Sequence, residues 1–524
     1  MMENEIPKIK NKNYGIIILI ILASVLFLFQ LGSFSLYDAA ETTYGEFIKQ
    51  IHLTGDWITM HYNGEIIFDK PPLYFWLASL ATLLFGFGEF AIRFPAAIAG
   101  IFTVVTTYFL GKTFYNQRTG FLSAIIVMTT FQFLIQSRIA EIDILLTLLI
   151  TLAFLFFWYA YQSGKAYFYW LFYVVMALGL LAKGIIGIAI PGFAIFLFLL
   201  FKKELGKIWE MHIPVGILIT LLIGAPWYIA EGYLHGKVFL DFVIGFLFMS
   251  RFGGVVAGHP GPWFYYFLAL LLGFAPWSHF LPYAFVRTFR KWQESPALLS
   301  LCFIIPVLII FSIAKTKLPN YIFPLYPFLA IMVGKLWDDF LGEERDKMRS
   351  GMSLAYIIFG IIVALLIIGF TILGTSNYSV EYHELLPSLS LLGGILVGSA
   401  IFSFGLYIFQ QYKLSFALIP IMLFAITFIL TTQTLPFVER FKGSKDLGQK
   451  VNESIEKNEY IAAYKIGNRP SVVYYNLKPV VFLENEEQAK LFLKNKSGYL
   501  FTTEKELKKH GKVFAEKGKL IVIR

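Results

Sequence analysis

The amino-acid sequence predicts an all-α polytopic membrane protein with about thirteen transmembrane helices and a small α/β domain at its C-terminus. The chain has 524 residues, of which 57% are hydrophobic and only 15% are charged. Soluble globular proteins carry about 45–50% apolar and roughly 25% charged residues, so this composition excludes an ordinary cytosolic enzyme and a disordered chain. The 55 phenylalanines and the aromatic content of 18% suit side chains that lie in lipid or at bilayer interfaces.

Cysteine content and charge narrow the class further. Cys302 is the single cysteine and lies in an apolar run, so neither an internal disulfide nor a cysteine metal cluster can form. Much of the net charge of +10 comes from a lysine-rich C-terminal tail. We interpret this charge as a topology and membrane-surface signal, and we expect no nucleic-acid partner.

The transmembrane helices are predicted from apolar runs of about 20 residues, the length that crosses a bilayer. The first run, residues 14–31, follows three lysines but precedes no small-residue cleavage site, so we expect an uncleaved first span and not a signal peptide. Further runs bring the predicted total to thirteen: 90–111, 119–135, 144–162, 167–182, 185–201, 212–230, 263–285, 297–314, 321–337, 352–374, 391–410 and 414–431.

Cationic residues orient the predicted bundle, because lysine and arginine accumulate in cytoplasmic loops. The clusters that mark this side are Lys8, Lys10 and Lys12; Lys112 and Arg118; Lys202, Lys203 and Lys207; Arg287, Arg290 and Lys291; and Arg345, Lys347 and Arg349. Successive spans must alternate in direction so that these clusters all lie on the cytoplasmic side, and this is possible only if the run 72–86 does not span. We therefore expect an interfacial or re-entrant helix that starts at Pro71-Pro72. Residues 32–89 then form one long external loop, and the C-terminus is also external.

The composition changes near residue 432, which we take as the boundary between a transmembrane domain, residues 1–431, and a C-terminal domain, residues 432–524. The tail is charged and contains three β-rich runs, YIAAYKI, PVVFLE and KLIVIR, between helical patterns. This pattern predicts an extracytoplasmic α/β domain. A loosely ordered tail is the alternative.

Ionisable groups at the span ends are the candidate functional residues, because such groups are costly at membrane depth and tend to mark function. The topology places them on the outer side: Asp38, Glu41, Glu46, Asp69, Lys70, Arg93, Arg138, Glu141, Asp143, Lys183, Arg251, Lys315 and Lys317, with Tyr321 nearby. Interfacial anchoring explains single basic residues but not the convergence of acids and bases from several segments. Such a rim suits a lipid-linked phosphate held by Lys and Arg, with Asp or Glu orienting or deprotonating an acceptor.

The first external loop and several later segments resemble a known family. The landmarks are Glu41 and Tyr44, Gly55-Asp56-Trp57, Asp69-Lys70-Pro71-Pro72, Arg93-Phe94-Pro95, Arg138 with Asp143, Ala182-Lys183-Gly184, Pro226-Trp227, Arg251-Phe252, Pro262-Trp263 and the run from Ala314 to Tyr321. Over roughly residues 14–340 the sequence resembles the polyprenyl-phosphate-sugar-dependent glycosyltransferases of the GT-C fold. Within that group it is similar to the 4-amino-4-deoxy-L-arabinose lipid A transferase and protein O-mannosyltransferase-like families, which also have thirteen spans and an outer C-terminal domain.

This resemblance implies an activity and roles for individual residues. The implied reaction moves a sugar from a polyprenyl (undecaprenyl) phosphate donor to lipid A, another glycan or a protein, at the outer face of the cytoplasmic (inner) membrane. Lys70, Arg251 and Tyr321 match positions that bind the lipid phosphate, and Asp143 matches a functional aspartate at the outer mouth of the bundle. The supporting residues are Asp69, Tyr44, Arg138, Lys183, Lys315 and Lys317. The expected partners are the donor, the acceptor and membrane lipids.

The sequence departs from the family at one position of the first loop. The family carries adjacent Asp-Glu there, whereas this chain has Ala40-Glu41. Asp38, two residues earlier, and Glu41 are the alternatives for the missing carboxylate, so the predicted catalytic set is Asp38, Glu41 and Asp143. The departure leaves the sugar and the acceptor open, and it keeps an inactive lipid-binding relative among the alternatives.

A transporter or lipid flippase is the alternative from another class. Such carriers combine paired repeats with ionisable residues near the bilayer midplane, whereas here the charges lie at one rim and the sequence has no fixed-period repeat. The sequence does not identify a cofactor. His52, His61, His235 and His259 fall on the outer side and are candidates for a divalent metal, although the sequence lacks a metal-ligand spacing such as HExxH.

Overall fold

The structure is a computed structural model that describes residues 14–243, 245, 260–375, 386–495 and 497–524. Within these residues the chain is predominantly α-helical, which confirms the predicted class of all-α membrane protein. Among the described residues, eight helices are long and apolar enough to cross a membrane: Glu89–Phe114, Ile142–Ser163, Ala166–Lys183, Ile213–Asp241, Ser295–Ile313, Arg345–Leu365, Ser390–Ile408 and Tyr412–Glu439. The shorter apolar helices Tyr14–Leu28, Leu73–Phe85 and Ile186–Lys202 accompany them, and the number of thirteen spans stays a prediction.

Two of the predicted spans are interrupted. The run 119–135 forms the helix Gln117–Met128 and a separate short helix, Phe131–Gln136. At this break the Phe131 N–H donates to the carbonyl of Ala275, 2.8 Å away, instead of continuing the helix. The run 263–285 is divided into Tyr265–Gly273, a 3₁₀ turn Ser278–Phe280 and Leu281–Arg290, because Pro276 has no N–H to donate.

The first long loop is folded into regular elements. It contains the helix Ala40–Thr54, a small hairpin of β1 (His61–Tyr62) and β2 (Glu65–Ile66), and the helix Leu73–Phe85. This last helix has 13 residues and starts directly after Pro72. Thirteen residues reach about 20 Å, which is short of the roughly 30 Å hydrocarbon core, and the interfacial or re-entrant placement of this helix stays a prediction.

Close helix contacts build the bundle around this loop. Helices Glu89–Phe114 and Gln117–Met128 approach each other at Gly120, where an added Cβ would lie 2.4 Å from the carbonyl oxygen of Tyr108. Only glycine therefore permits this contact. The remaining helical elements are Lys207–Glu210, the 3₁₀ helix Pro319–Leu325, Tyr326–Leu341, Arg345–Thr375, Leu386–Ile408, Tyr412–Ile429, the π-helical turn Leu430–Thr434 and Leu435–Glu439.

The C-terminal tail forms a five-stranded mixed sheet in the order β4-β3-β5-β7-β6. The strands are β3 (Tyr460–Tyr464), β4 (Val480–Phe482), β5 (Gly498–Thr502), β6 (Val513–Lys517) and β7 (Leu520–Ile523). Strand β3 is parallel to both β4 and β5, and the other pairs are antiparallel. The helix Ser444–Ser454 precedes β3. Ser471–Tyr474, Glu486–Lys494 and the 3₁₀ helix Lys505–Lys509 connect the strands from β3 to β6, and separate apolar clusters pack around the sheet. Three strands coincide with the β-rich runs, whereas β5 and β6 were not predicted.

The tail packs against the first loop through buried polar contacts. The Lys49 ammonium donates to the carbonyl oxygens of Val473, Tyr474 and Asn476 at 2.8–3.1 Å. The Ser471 hydroxyl donates to the Asp38 carboxylate at 2.9 Å. These contacts fix the first loop between the helical bundle and the sheet.

Candidate active site

Glu41 lies in a buried ion pair. Its carboxylate is 1% exposed and accepts two hydrogen bonds from Arg93, which is fully buried, at 2.8 and 2.9 Å. The backbone N–H groups of Tyr37 and Ala140 donate to the same carboxylate at 2.9 and 2.6 Å. A carboxylate with about four lone-pair sites is saturated by four donors, so Glu41 has no oxygen left to accept a substrate proton. This geometry gives Glu41 a positioning role and does not support the expectation that it is catalytic.

Asp38, the other candidate for the missing carboxylate, faces the tail. Its oxygens accept the backbone N–H and the hydroxyl of Ser471 at 2.8 and 2.9 Å, and the Thr42 hydroxyl at 3.3 Å. Asp38 therefore lies at the junction between the first loop and the sheet. The structure does not bring it together with the cluster that contains Asp143.

Two of the predicted supporting residues stabilise helix ends. Arg138 donates to the carbonyl oxygens of Leu26 and Phe29 at the end of the first helix. The Lys317 ammonium donates to the carbonyl oxygens of Phe311, Ser312 and Ala314 at 2.6–2.8 Å. Cations at a helix C-terminus satisfy unpaired carbonyl groups and the helix dipole, which accounts for both side chains. Lys315 is exposed on the same segment.

The remaining described residues of the predicted site converge, together with Glu141, in one group, which we name the charged cluster: Tyr44, Asp69, Lys70, Glu141, Asp143, Lys183 and Tyr321. Asp69 and Lys70 form an ion pair at 2.5 Å. Asp143 and Lys183 form a second pair, in which both side chains are less than 10% exposed. The Lys183 ammonium lies 5.9 Å from the ring centre of Tyr321. Segments that are distant in sequence thus bring three carboxylates, two lysines and two phenols together.

Glu141 lies inside this cluster, although we gave it no role in the predicted site. It directly precedes the helix Ile142–Ser163 and accepts no hydrogen bond from the described residues. Burial and the nearby charge of Asp143 raise its pKa to about 8, while Lys183 and Lys70 act in the opposite direction. Burial, and the charges of Glu141, Asp69 and Asp143, likewise hold the pKa of Tyr44 well above its usual value. The signal in the sequence was the pair Glu141 and Asp143 directly before an apolar run.

An apolar cavity of about 520 Å³ opens beside the charged cluster. It lies between the helices Ile186–Lys202 and Ser295–Ile313, and its walls include Phe193, Cys302 and Val307. Tyr321 lines the same cavity. A ligand whose apolar chain lies in the cavity would therefore place its polar head group at the charged cluster.

Arg251, the third residue expected at the lipid phosphate, lies outside the described residues, as do His259 and the N-terminal Lys8, Lys10 and Lys12. The described histidines make separate contacts. His52 is 2.6 Å from the Thr82 hydroxyl, His61 is 3.1 Å from Asp56, and His235 is 2.8 Å from the Thr59 hydroxyl. In the part of the chain that the structure describes, no group of three or more His, Cys, Asp or Glu side chains has an arrangement that could hold a metal ion.

Comparison with known sequences identifies related proteins. The family model described as dolichyl-phosphate-mannose-protein mannosyltransferase matches residues 69–229. An uncharacterised protein of Aquifex aeolicus is 29% identical over 447 residues, which cover 84% of this chain and 83% of that protein. The undecaprenyl phosphate-alpha-4-amino-4-deoxy-L-arabinose arabinosyl transferase of Erwinia tasmaniensis is 28% identical over 376 residues, which cover 71% of this chain and 66% of the transferase.

Solved structures share the fold. ArnT from Cupriavidus metallidurans, crystallised with undecaprenyl phosphate, superposes with a TM-score of 0.84 at 18% identity and covers 98% of both chains. The archaeal oligosaccharyltransferase AglB from Archaeoglobus fulgidus, in complex with an inhibitory peptide and a dolichol-phosphate, gives a TM-score of 0.54 at 13% identity, over 93% of this chain and 69% of that one.

The chain therefore has the fold of ArnT, a GT-C fold, and it is similar in sequence to one class of proteins, the multi-pass membrane glycosyltransferases. Within this class the chain resembles the 4-amino-4-deoxy-L-arabinose transferases and the dolichyl-phosphate-mannose-protein mannosyltransferases.

Proposed function

We propose that the protein transfers a sugar from a polyprenyl phosphate, of which undecaprenyl phosphate is the bacterial form, to an envelope acceptor. The observation that carries this proposal is the position of Tyr321, which lines the apolar cavity and lies 5.9 Å from the Lys183 ammonium. A polyprenyl chain would occupy the cavity, and its phosphate would reach the charged cluster. The acceptor is lipid A, another glycan or a protein.

Lys70, Tyr321 and Arg251 would hold the departing phosphate in this proposal. In the reaction the acceptor oxygen attacks the anomeric carbon, the bond from that carbon to the phosphate oxygen breaks, and the polyprenyl phosphate leaves. Cationic and hydroxyl donors that are fixed near the phosphate stabilise the negative charge that develops as the bond breaks. Lys183 keeps Asp143 in place and adds positive charge near Tyr321.

We also propose that this site and the C-terminal sheet lie on the extracytoplasmic side of the cytoplasmic membrane. Support comes from the basic groups gathered at the other end of the bundle, where Arg287 pairs with Asp339 and Glu344, and Arg118 pairs with Asp338. Lysine and arginine favour the cytoplasmic side. In this arrangement residues 1–431 form the transferase domain and residues 432–524 form an extracytoplasmic domain.

The test is transfer by purified protein in lipid nanodiscs from a panel of undecaprenyl-phosphate sugars, with host envelope glycolipids, glycans and proteins as acceptors. Lys70→Ala is expected to reduce transfer by 10-fold or more, since a charge-assisted contact contributes about 1.5–3 kcal/mol. Lys465→Ala is the matched control, because Lys465 is 55% exposed in the tail. Transfer that is equal in both variants would contradict the proposed phosphate site. Binding of a donor without transfer of its sugar would instead support the lipid-binding or flippase alternatives.

A further inference from the structure

We propose that Glu141 is the general base of the transfer and that the acceptor group is a hydroxyl, not a phosphate. This inference rests on the proposed function. It names the catalytic carboxylate and the acceptor chemistry, which the sequence left open because Ala40 stands where the family has an aspartate. It assigns a role to Glu141, which the sequence analysis placed among the ionisable groups of the outer rim without a role of its own.

The first argument is that the other candidate carboxylates are occupied. Glu41 accepts four hydrogen bonds, two of them from Arg93. Asp143 is paired with Lys183, and Asp69 is paired with Lys70. A carboxylate that is already bound to a cation is a weaker proton acceptor, because the pair stabilises its ionised form. Glu141 remains as the carboxylate without a hydrogen-bond donor among the described residues of the cluster.

The second argument is that the fold positions Glu141 rigidly. The Glu41 carboxylate accepts the backbone N–H of Ala140 at 2.6 Å, and it is itself fixed by Arg93. Glu141 follows Ala140 and precedes the first residue of a long helix. The buried ion pair therefore holds the backbone from which the Glu141 side chain extends, as a group that must meet a substrate atom requires.

The electrostatic surroundings favour the protonation that a base undergoes. The groups that act on Glu141 are Asp143, two residues further along the chain, and Lys183, Glu41 and Lys70. Tyr44 lies close to the same carboxylates. With its pKa raised to about 8, Glu141 binds a proton more strongly than an ordinary carboxylate does. General bases work best when the pKa lies near the working pH.

The same charges indicate the acceptor. Asp69, Glu141 and Asp143 bring three carboxylates to the cluster against Lys70 and Lys183 among the described residues. An acceptor phosphate is already ionised, so it needs no base. It would also add negative charge beside the departing polyprenyl phosphate, where Lys70 and Lys183 already pair with Asp69 and Asp143. A hydroxyl is neutral, and it becomes a good nucleophile only when its proton is removed. In the step proposed here the hydroxyl oxygen bonds to the anomeric carbon, the polyprenyl phosphate leaves, and the proton moves to Glu141 and then to water.

The test compares two small acceptors, methanol and methyl phosphate, with donors from the undecaprenyl-phosphate sugar panel. Wild-type protein is expected to form the methyl glycoside in preference to the glycosyl methyl phosphate. Glu141→Gln is expected to lower kcat with methanol by about 100-fold or more, with donor binding unchanged, as removal of a general base does. Glu65→Gln, which changes an exposed carboxylate of the β2 strand, is the control and should keep the wild-type rate.

Two further measurements separate a base from a merely structural residue. Formate should partly restore methanol transfer to Glu141→Ala, because it supplies a carboxylate to the vacated space. The wild-type protein should also lose stability between about pH 5 and 8 relative to Glu141→Gln. The folded state binds the Glu141 proton more tightly than the unfolded state, so stability falls as the pH rises through this interval.

The outcomes distinguish this inference from the proposed function. Methyl glycoside formation at the wild-type rate by Glu141→Gln, or a preference for methyl phosphate, overturns the inference and leaves the glycosyl transfer standing. Failure to transfer from any donor to any acceptor overturns both.

Discussion

The carboxylate of Glu41 and the guanidinium of Arg93 form a bidentate ion pair in which both side chains are almost fully buried. Arg93 also donates to the backbone carbonyls of Leu31, Phe34 and Ser35, at 2.9–3.0 Å. One side chain of the helix Glu89–Phe114 therefore ties together the end of the first helix and the first-loop helix Ala40–Thr54. Through Glu41 it also reaches the turn before Glu141.

Loss of this pair should destabilise the protein strongly. Arg93→Met leaves the Glu41 carboxylate buried without its cation, so we expect a loss of about 3–5 kcal/mol. Thermal unfolding in detergent measures the effect. Lys490→Met is the comparison, because Lys490 and Glu486 form an exposed pair, and solvent-screened pairs of this kind contribute little to stability. Similar changes of the unfolding temperature in the two variants would mean that the buried pair stabilises the protein no more than the exposed pair does.

Filling the apolar cavity should weaken donor binding. Val307 is 6% exposed and lines the cavity, whereas Ile309 on the same helix is 53% exposed. In Val307→Trp the indole occupies the space proposed for the polyprenyl chain, and we expect undecaprenyl phosphate affinity to fall about 10-fold or more, which corresponds to about 1.4 kcal/mol. Native mass spectrometry measures the bound lipid. Ile309→Trp should bind normally, and equal binding by both variants would place the lipid elsewhere.

Substitutions of the Asp143–Lys183 pair should shift the pH profile in opposite directions. The charge of Asp143 raises the pKa of Glu141 and the charge of Lys183 lowers it. Asp143→Asn should therefore move the pH of half-maximal transfer down by about one unit, and Lys183→Met should move it up by a similar amount. Initial rates across pH 5 to 10 measure both. Shifts of the same sign would show that Glu141 does not control the profile.

The contact between Lys49 and the tail should be needed for docking of the sheet. Lys49 is 7% exposed, pairs with Glu46 at 2.6 Å and donates to three carbonyl groups around Tyr474. Burial lowers the pKa of Lys49, so its charge depends on these partners. Lys49→Met should cost about 3 kcal/mol and make residues 432–524 more sensitive to protease. Lys450→Met, in an exposed position of the Ser444–Ser454 helix, should leave cleavage unchanged.

Most of the bundle could be predicted because a spanning helix is a local property of about 20 apolar residues. The breaks could not, since the one at Phe131 depends on a hydrogen bond to Ala275, far away in sequence. The convergence of charged residues at one end was also predictable from the alternation of the spans. The residue with which each charged side chain pairs could not be predicted. Lys317 and Lys70 look alike in the sequence, yet one caps a helix and the other pairs with Asp69 in the cluster.

The first loop and the tail contact each other at several points: Asp38 with Ser471, Lys49 with the Tyr474 segment, and Glu89 with Lys445. The C-terminal sheet is consequently not an interchangeable module. A chimera that receives the tail of a relative would have to inherit the matching first loop as well, so we expect these two distant stretches to be exchangeable only as a set.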